Sequence, residues 1–161
     1  MTSADERRIL DGLNPEQRLA VETTEGPLLI QAGAGSGKTK ALIHRIAYII
    51  AGGLAQPAEI LAVTFTNKAA NEMRGRLARL LGVADSRSFM PWMGTFHSIA
   101  VRLLRRGGDQ INIARNFVIF DEADRLSLVK SVMKELGVAE QQFSPRSIVG
   151  YISKAKNACL S

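Results

Sequence analysis

Residues 28–39, LLIQAGAGSGKT, decide how this chain is read. An apolar run enters a glycine loop that ends Gly37-Lys38-Thr39 and opens at once into helical spacing. A nucleoside triphosphate needs that order. Gly33, Gly35 and Gly37 can adopt φ > 0, so the main chain can curve closely round phosphate oxygens. The amides from Ala32 through Ala34 and Ser36 to the first helical turn then aim their N–H groups at the anion. Lys38 reaches the β- and γ-phosphates, and the Thr39 hydroxyl takes one coordination position on Mg²⁺.

The flanks fit. Leu28, Leu29 and Ile30 read as a short buried strand. Ala41, Leu42, Ile43, Ile46, Ala47, Ile49 and Ile50 form a broad apolar helical face that Gly52-Gly53 stops. The strict loop pattern asks for glycine where Ala32 stands, a small departure. A dinucleotide fingerprint is excluded, because its third glycine would fall on Lys38.

At 161 residues, 46% of them hydrophobic and 22% charged, the chain suits an ordinary domain with a real core. The longest apolar stretch is broken by His44 and Arg45, so no membrane span is expected, and MTSADERRILDG lacks an apolar signal core. One cysteine, Cys159, permits no internal disulfide and fits a reducing cytoplasm. The net charge of +6 is placed unevenly. Residues 66–106 carry Lys68, Arg74, Arg76, Arg79, Arg87, Arg102, Arg105 and Arg106 against only Glu72 and Asp85, and the rest of the chain balances. A polyanion such as nucleic acid would explain that, and so would a solvated helix face.

Residues 4–12 look helical. LNPEQRLAVETT reads as a helix capped by Asn14, with Pro15 in the first turn and Leu19 and Ala20 facing inward. ILAVTF (60–65) reads as a second buried strand. TNKAANEMRGRLARLLG follows as a helix capped by Thr66 or Asn67 and ended by Gly82. A third strand lies within SRSFMPWMGTF, before the helix HSIAVRLLRRGG. Strands alternating with helices imply an α/β, doubly wound parallel sheet over residues 1–109. From about 110 to 161 the texture is mainly helical, with Leu126, Val129, Val132, Met133 and Leu136 at helical spacing and a last helix entered through Ser144-Pro145.

Three further segments, in order, resemble the UvrD/Rep/PcrA family of superfamily 1 DNA helicases. LNPEQRLAV is similar to the family's Q motif, which makes Gln17 the expected reader of adenine and ATP the expected nucleotide. AVTFTNKAANEMRGR resembles the motif that grips single-stranded DNA, placing Phe65 against a base and Thr64, Thr66, Asn67 and Lys68 near the backbone. Alone, Phe65 would more often be core. GTFHSIAVRLLRR resembles the next motif, with Thr95, Phe96, His97 and Ser98 at the DNA surface. Lys40 stands where the family often has an arginine near the nucleotide, losing the planar fork.

The resemblance implies a P-loop (RecA-like) motor domain over 1–109 and the start of an inserted helical subdomain over 110–161. Lys38 and Thr39 would serve catalysis, and the parent would be a 3′-to-5′ helicase acting on single strands and duplex–single-strand junctions, with the remaining motor parts downstream. FVIFDEAD also resembles a Walker B strand, with Asp121 for Mg²⁺ and Glu122 for water. That reading would make the chain a self-contained small ATPase, a rival alongside a non-catalytic nucleotide-binding module. Asp121 falls 83 residues after Lys38, and the resemblance matches Asp121 and Asp124 to acidic positions of the inserted subdomain. A strand-to-helix junction with acids at the helix N-terminus is the preferred reading.

Overall fold

The computed structural model describes residues 3–85 and 87–160. Met1, Thr2, Ser86 and Ser161 lie outside them, so the first residue of the expected third-strand segment is not described. The chain divides into two compact units, residues 1–113 and 114–161.

In the first unit, α1 (Ser3–Leu10) and α2 (Pro15–Glu22) lead to the glycine loop and α3 (Lys38–Ala51). Asn14 caps α2 through a reciprocal box: its side chain accepts from Gln17 N at 2.8 Å, and Gln17 Oε1 accepts from Asn14 N at 3.3 Å. Pro15 sits where a missing N–H costs nothing. β1 (Ala62–Thr64), α4 (Asn67–Leu81) and β2 (Met93–Thr95) form a crossover unit, and α5 (Phe96–Gly107) follows directly. β1 and β2 pair in parallel, with Ala62 opposite Met93 and Thr64 opposite Thr95. Thr66 caps α4, Thr95 caps α5, and Gly82 closes α4 in the left-handed region.

The core gathers Ile9 from α1, Ile43, Ile46 and Ala47 from α3, Ala62 from β1, Met73 and Leu77 from α4, Met90, and Met93 from β2. α3 packs on α4, and α4 lies on a small parallel sheet, an α/β arrangement.

Three expectations fail here, the first being the buried strand over 60–65, which shrinks to Ala62–Thr64 and leaves Leu61 60% exposed. Leu28–Ile30 joins no ladder, and Leu29 is 87% exposed. An apolar run without alternation becomes a buried strand only with neighbours on its edges and cover on both faces, and the described sheet has just two strands, neither paired to it. Leu19 is 67% exposed, while Val21 of the same helix is fully buried. With α2 docked on α3, the helical period carries Val21 inward and Leu19 outward.

In the second unit, α6 (Glu122–Glu135) packs with α7 (Pro145–Asn157), burying Met133 and Pro145. Asp121 caps α6, accepting from Asp124 N at 2.8 Å while Asp124 Oδ2 accepts from Asp121 N at 3.1 Å. Residues 117–120 form no strand. Asp121 and Asp124 serve a capping box and Glu122 begins α6, so the acids stand at a helix N-terminus as expected, but neither the Walker B strand nor the strand of the preferred junction reading forms.

Candidate functional site: a glycine loop and an aromatic pair

The loop turns first at residues 33–36, where Ser36 Oγ donates to Gly33 O at 2.7 Å. Gly35 (φ 77°) and Gly37 (φ 86°) occupy the left-handed region, and Gly33 does not. Gly37 is the N-cap of α3, and Ala41 N donates to its carbonyl at 2.9 Å. The amides of Lys38, Thr39 and Lys40 therefore lie in the first turn, where no intrahelical acceptor exists and the helix dipole is positive. Lys38 Nζ donates to Ala32 O at 2.6 Å and Gly33 O at 2.5 Å, so the ammonium lies within the curve of the loop.

Thr39 is exposed beside it. Its hydroxyl is one hard oxygen ligand, and among the described residues no cluster of three His, Cys, Asp or Glu is assembled for a metal. A hard hydroxyl oxygen is the type of ligand that Mg²⁺ takes.

Gln17 comes to the loop from α2. Its Nε2 donates to Ser36 O at 3.0 Å, and a Cβ on Gly37 would lie only 2.5 Å from that nitrogen. Lys40 turns away, and its Nζ donates to Gly12 O at 2.5 Å.

The residues put forward for DNA contact meet at one end of the sheet. Thr64 and Thr95 are cross-strand partners, and the next residue of each chain segment is a phenylalanine. The Phe65 and Phe96 rings lie 5.4 Å apart at 45°. Phe65 is 88% exposed, which excludes the core reading. Asn67 and Lys68 begin α4, and Phe96, His97 and Ser98 begin α5, so two helix N-termini open beside the aromatic pair. The Thr66 hydroxyl accepts from Ala69 N at 3.1 Å, and the Thr95 hydroxyl from Ser98 N at 3.2 Å. These two threonines shape the surface as caps. Crevices at the carboxyl ends of parallel strands are where α/β sheets bind ligands.

The basic segment does not present one face. Arg74 is 7% exposed and donates to Met93 O and Asn71 Oδ1, both at 2.9 Å, tying α4 to β2. Arg76 pairs with Glu72 on its own helix. Arg102 and Arg106 rest against Trp92, 5.7 and 5.6 Å from the ring centre. Charge counting could not have separated these roles, because a buried arginine and a solvated one look alike in sequence.

Residues 13–161 match the family model for the UvrD/REP helicase N-terminal domain. The chain belongs to this family. Relatives of this UvrD/REP chain are named ATP-dependent DNA helicase PcrA. The Bacillus subtilis protein is 55% identical over 151 residues, 93% of this chain and 20% of that protein. That of Staphylococcus aureus is 50% identical over 149 residues, 92% and 20% respectively. That of Leuconostoc citreum is 51% identical over 152 residues, 94% and 20%. The chain spans about a fifth of the length of these relatives.

Proposed function

We propose that this chain is the ATP- and single-stranded-DNA-binding part of an ATP-dependent 3′-to-5′ DNA helicase of the UvrD/REP kind, working with further motor domains at duplex–single-strand junctions in DNA repair in the cytoplasm. The fold in this reading is that of a RecA-like P-loop domain, with the helical residues 110–161 opening an inserted subdomain.

Each half has its own chemistry. The loop amides, the N-terminus of α3 and Lys38 offset triphosphate charge, and Thr39 would hold a Mg²⁺ that supplies further counter-charge to the phosphates. Gln17 selects the base. One Nε2 hydrogen and one Oε1 lone pair are already bound, to Ser36 O and Asn14 N, which fixes which way the amide points. The remaining donor and acceptor match N7 and N6–H of adenine, whereas guanine would set O6 against Oε1. Phe65 and Phe96 offer a stacking platform that accepts any base. Lys68 and the first turns of α4 and α5 hold phosphates.

The observation that carries this reading is the exposed Phe65–Phe96 pair at the carboxyl ends of β1 and β2, in the same unit as the loop. Its test is the salt dependence of oligo-dT binding, followed by fluorescence titration. Affinity should fall steeply with salt, with a slope near −0.7 per phosphate neutralised. Equal affinity at low and high salt would rule out a phosphate-gripping surface.

A further inference from the structure

Three basic side chains of α3 turn back onto main-chain carbonyls of the two preceding helices. Lys40 Nζ reaches Gly12 O, and His44 Nδ1 lies 2.5 Å from Ile9 O. A carbonyl only accepts, so that imidazole nitrogen carries the proton. Arg45 Nη1 donates to Ala20 O at 2.7 Å and also to Thr23 O. All four carbonyls lie at or just beyond the ends of α1 and α2, where intrahelical donors run out and a cation is favoured.

The Arg45 contact closes a mechanical circuit. α2 is bound at its N-terminal end to the loop, through Gln17 Nε2 and Ser36 O. At its other end it is bound to α3, which continues from that same loop. Docking on α3 places this eight-residue helix, and Arg45 adds a second directional anchor at the end opposite the Gln17 amide. Val21 is buried and adds apolar contact, but apolar contact sets no direction.

We infer that Arg45 is a positioning residue for base selection: by fixing the C-terminal end of α2, it holds the Gln17 amide in the orientation that takes adenine and refuses guanine. The inference rests on the proposed adenine-reading role of Gln17. Arg45 touches neither base nor phosphate and acts through α2.

The test titrates fluorescent ATP and GTP analogues into the chain with Mg²⁺, and uses inorganic tripolyphosphate as competitor to report on the loop alone. Gln17→Ala should lower the preference for ATP over GTP on the order of tenfold, the worth of one or two hydrogen bonds. Arg45→Ala should lower it comparably while tripolyphosphate affinity stays within about twofold, and Arg45→Lys should restore most of it. Because both residues act through one amide, Arg45→Ala added to Gln17→Ala should change the preference no further.

Full ATP preference in Arg45→Ala overturns the proposal. So does tripolyphosphate affinity that falls in step with ATP, or a lysine no better than alanine. No preference in the parent chain, or an unchanged preference in Gln17→Ala, overturns the adenine reading itself and this inference with it. Loss of preference in Gln17→Ala but not in Arg45→Ala overturns this inference alone.

Discussion

Gly37→Ala is expected to weaken ATP binding roughly 10- to 100-fold and to cost about 2 kcal/mol of stability. Two effects act at one carbon. At φ 86° an alanine pays left-handed strain, ~1–2 kcal/mol. Its Cβ would also lie 2.5 Å from Gln17 Nε2. That nitrogen ends a flexible side chain and can move, but moving it breaks the bond to Ser36 O and turns the amide. Relieving the strain instead means leaving the conformation that starts α3 and aims its first amides.

Neighbouring glycines provide the controls. At Gly35 (φ 77°) an added Cβ meets open space, so only the strain term applies. Gly33 lies outside the left-handed region with nothing near its missing Cβ, and Gly33→Ala should hold stability within about 0.5 kcal/mol. Thermal melts and ATP titrations of the three variants check the ranking. Equal effects at Gly33 and Gly37 would contradict it.

Phe65→Ala should reduce single-strand DNA affinity about 5- to 150-fold, which is ~1–3 kcal/mol of base stacking. Stability should change by less than about 1 kcal/mol, because an 88%-exposed ring contributes little burial beyond its contact with Phe96. A core phenylalanine would give the reverse, a loss of about 3–5 kcal/mol of stability. Oligo-dT titration beside a melting curve separates the two. Unchanged DNA affinity would remove the stacking platform from the account.

Much of the local structure was legible because it rests on short-range chemistry. Asn14 and Pro15 announce a capped helix start, Thr66 or Asn67 announces the next, and Gly82 ends it, all through contacts within four residues. The loop was equally plain, since Gly-Lys-Thr after an apolar run is a local pattern. What escaped depends on partners distant in sequence. Leu28–Ile30 carries the composition of a buried strand, but pairing decides whether it becomes one. Arg74 counts as surface charge in a composition and is in fact a buried tie to a β2 carbonyl, 19 residues away. The Lys40, His44 and Arg45 contacts span 22 to 35 residues and end on backbone carbonyls, which carry no side-chain signature at all.

The central claim is that main-chain amides over residues 33–39, with the Lys38 ammonium, cradle a triphosphate. A crystal structure of the chain with a non-hydrolysable ATP analogue and Mg²⁺ tests it most directly. The account predicts β- and γ-phosphate oxygens within hydrogen-bonding reach of those amides, and the Lys38 ammonium turned from the Ala32 and Gly33 carbonyls onto phosphate. A nucleotide bound elsewhere, or these amides left unengaged while the analogue is in place, would contradict it.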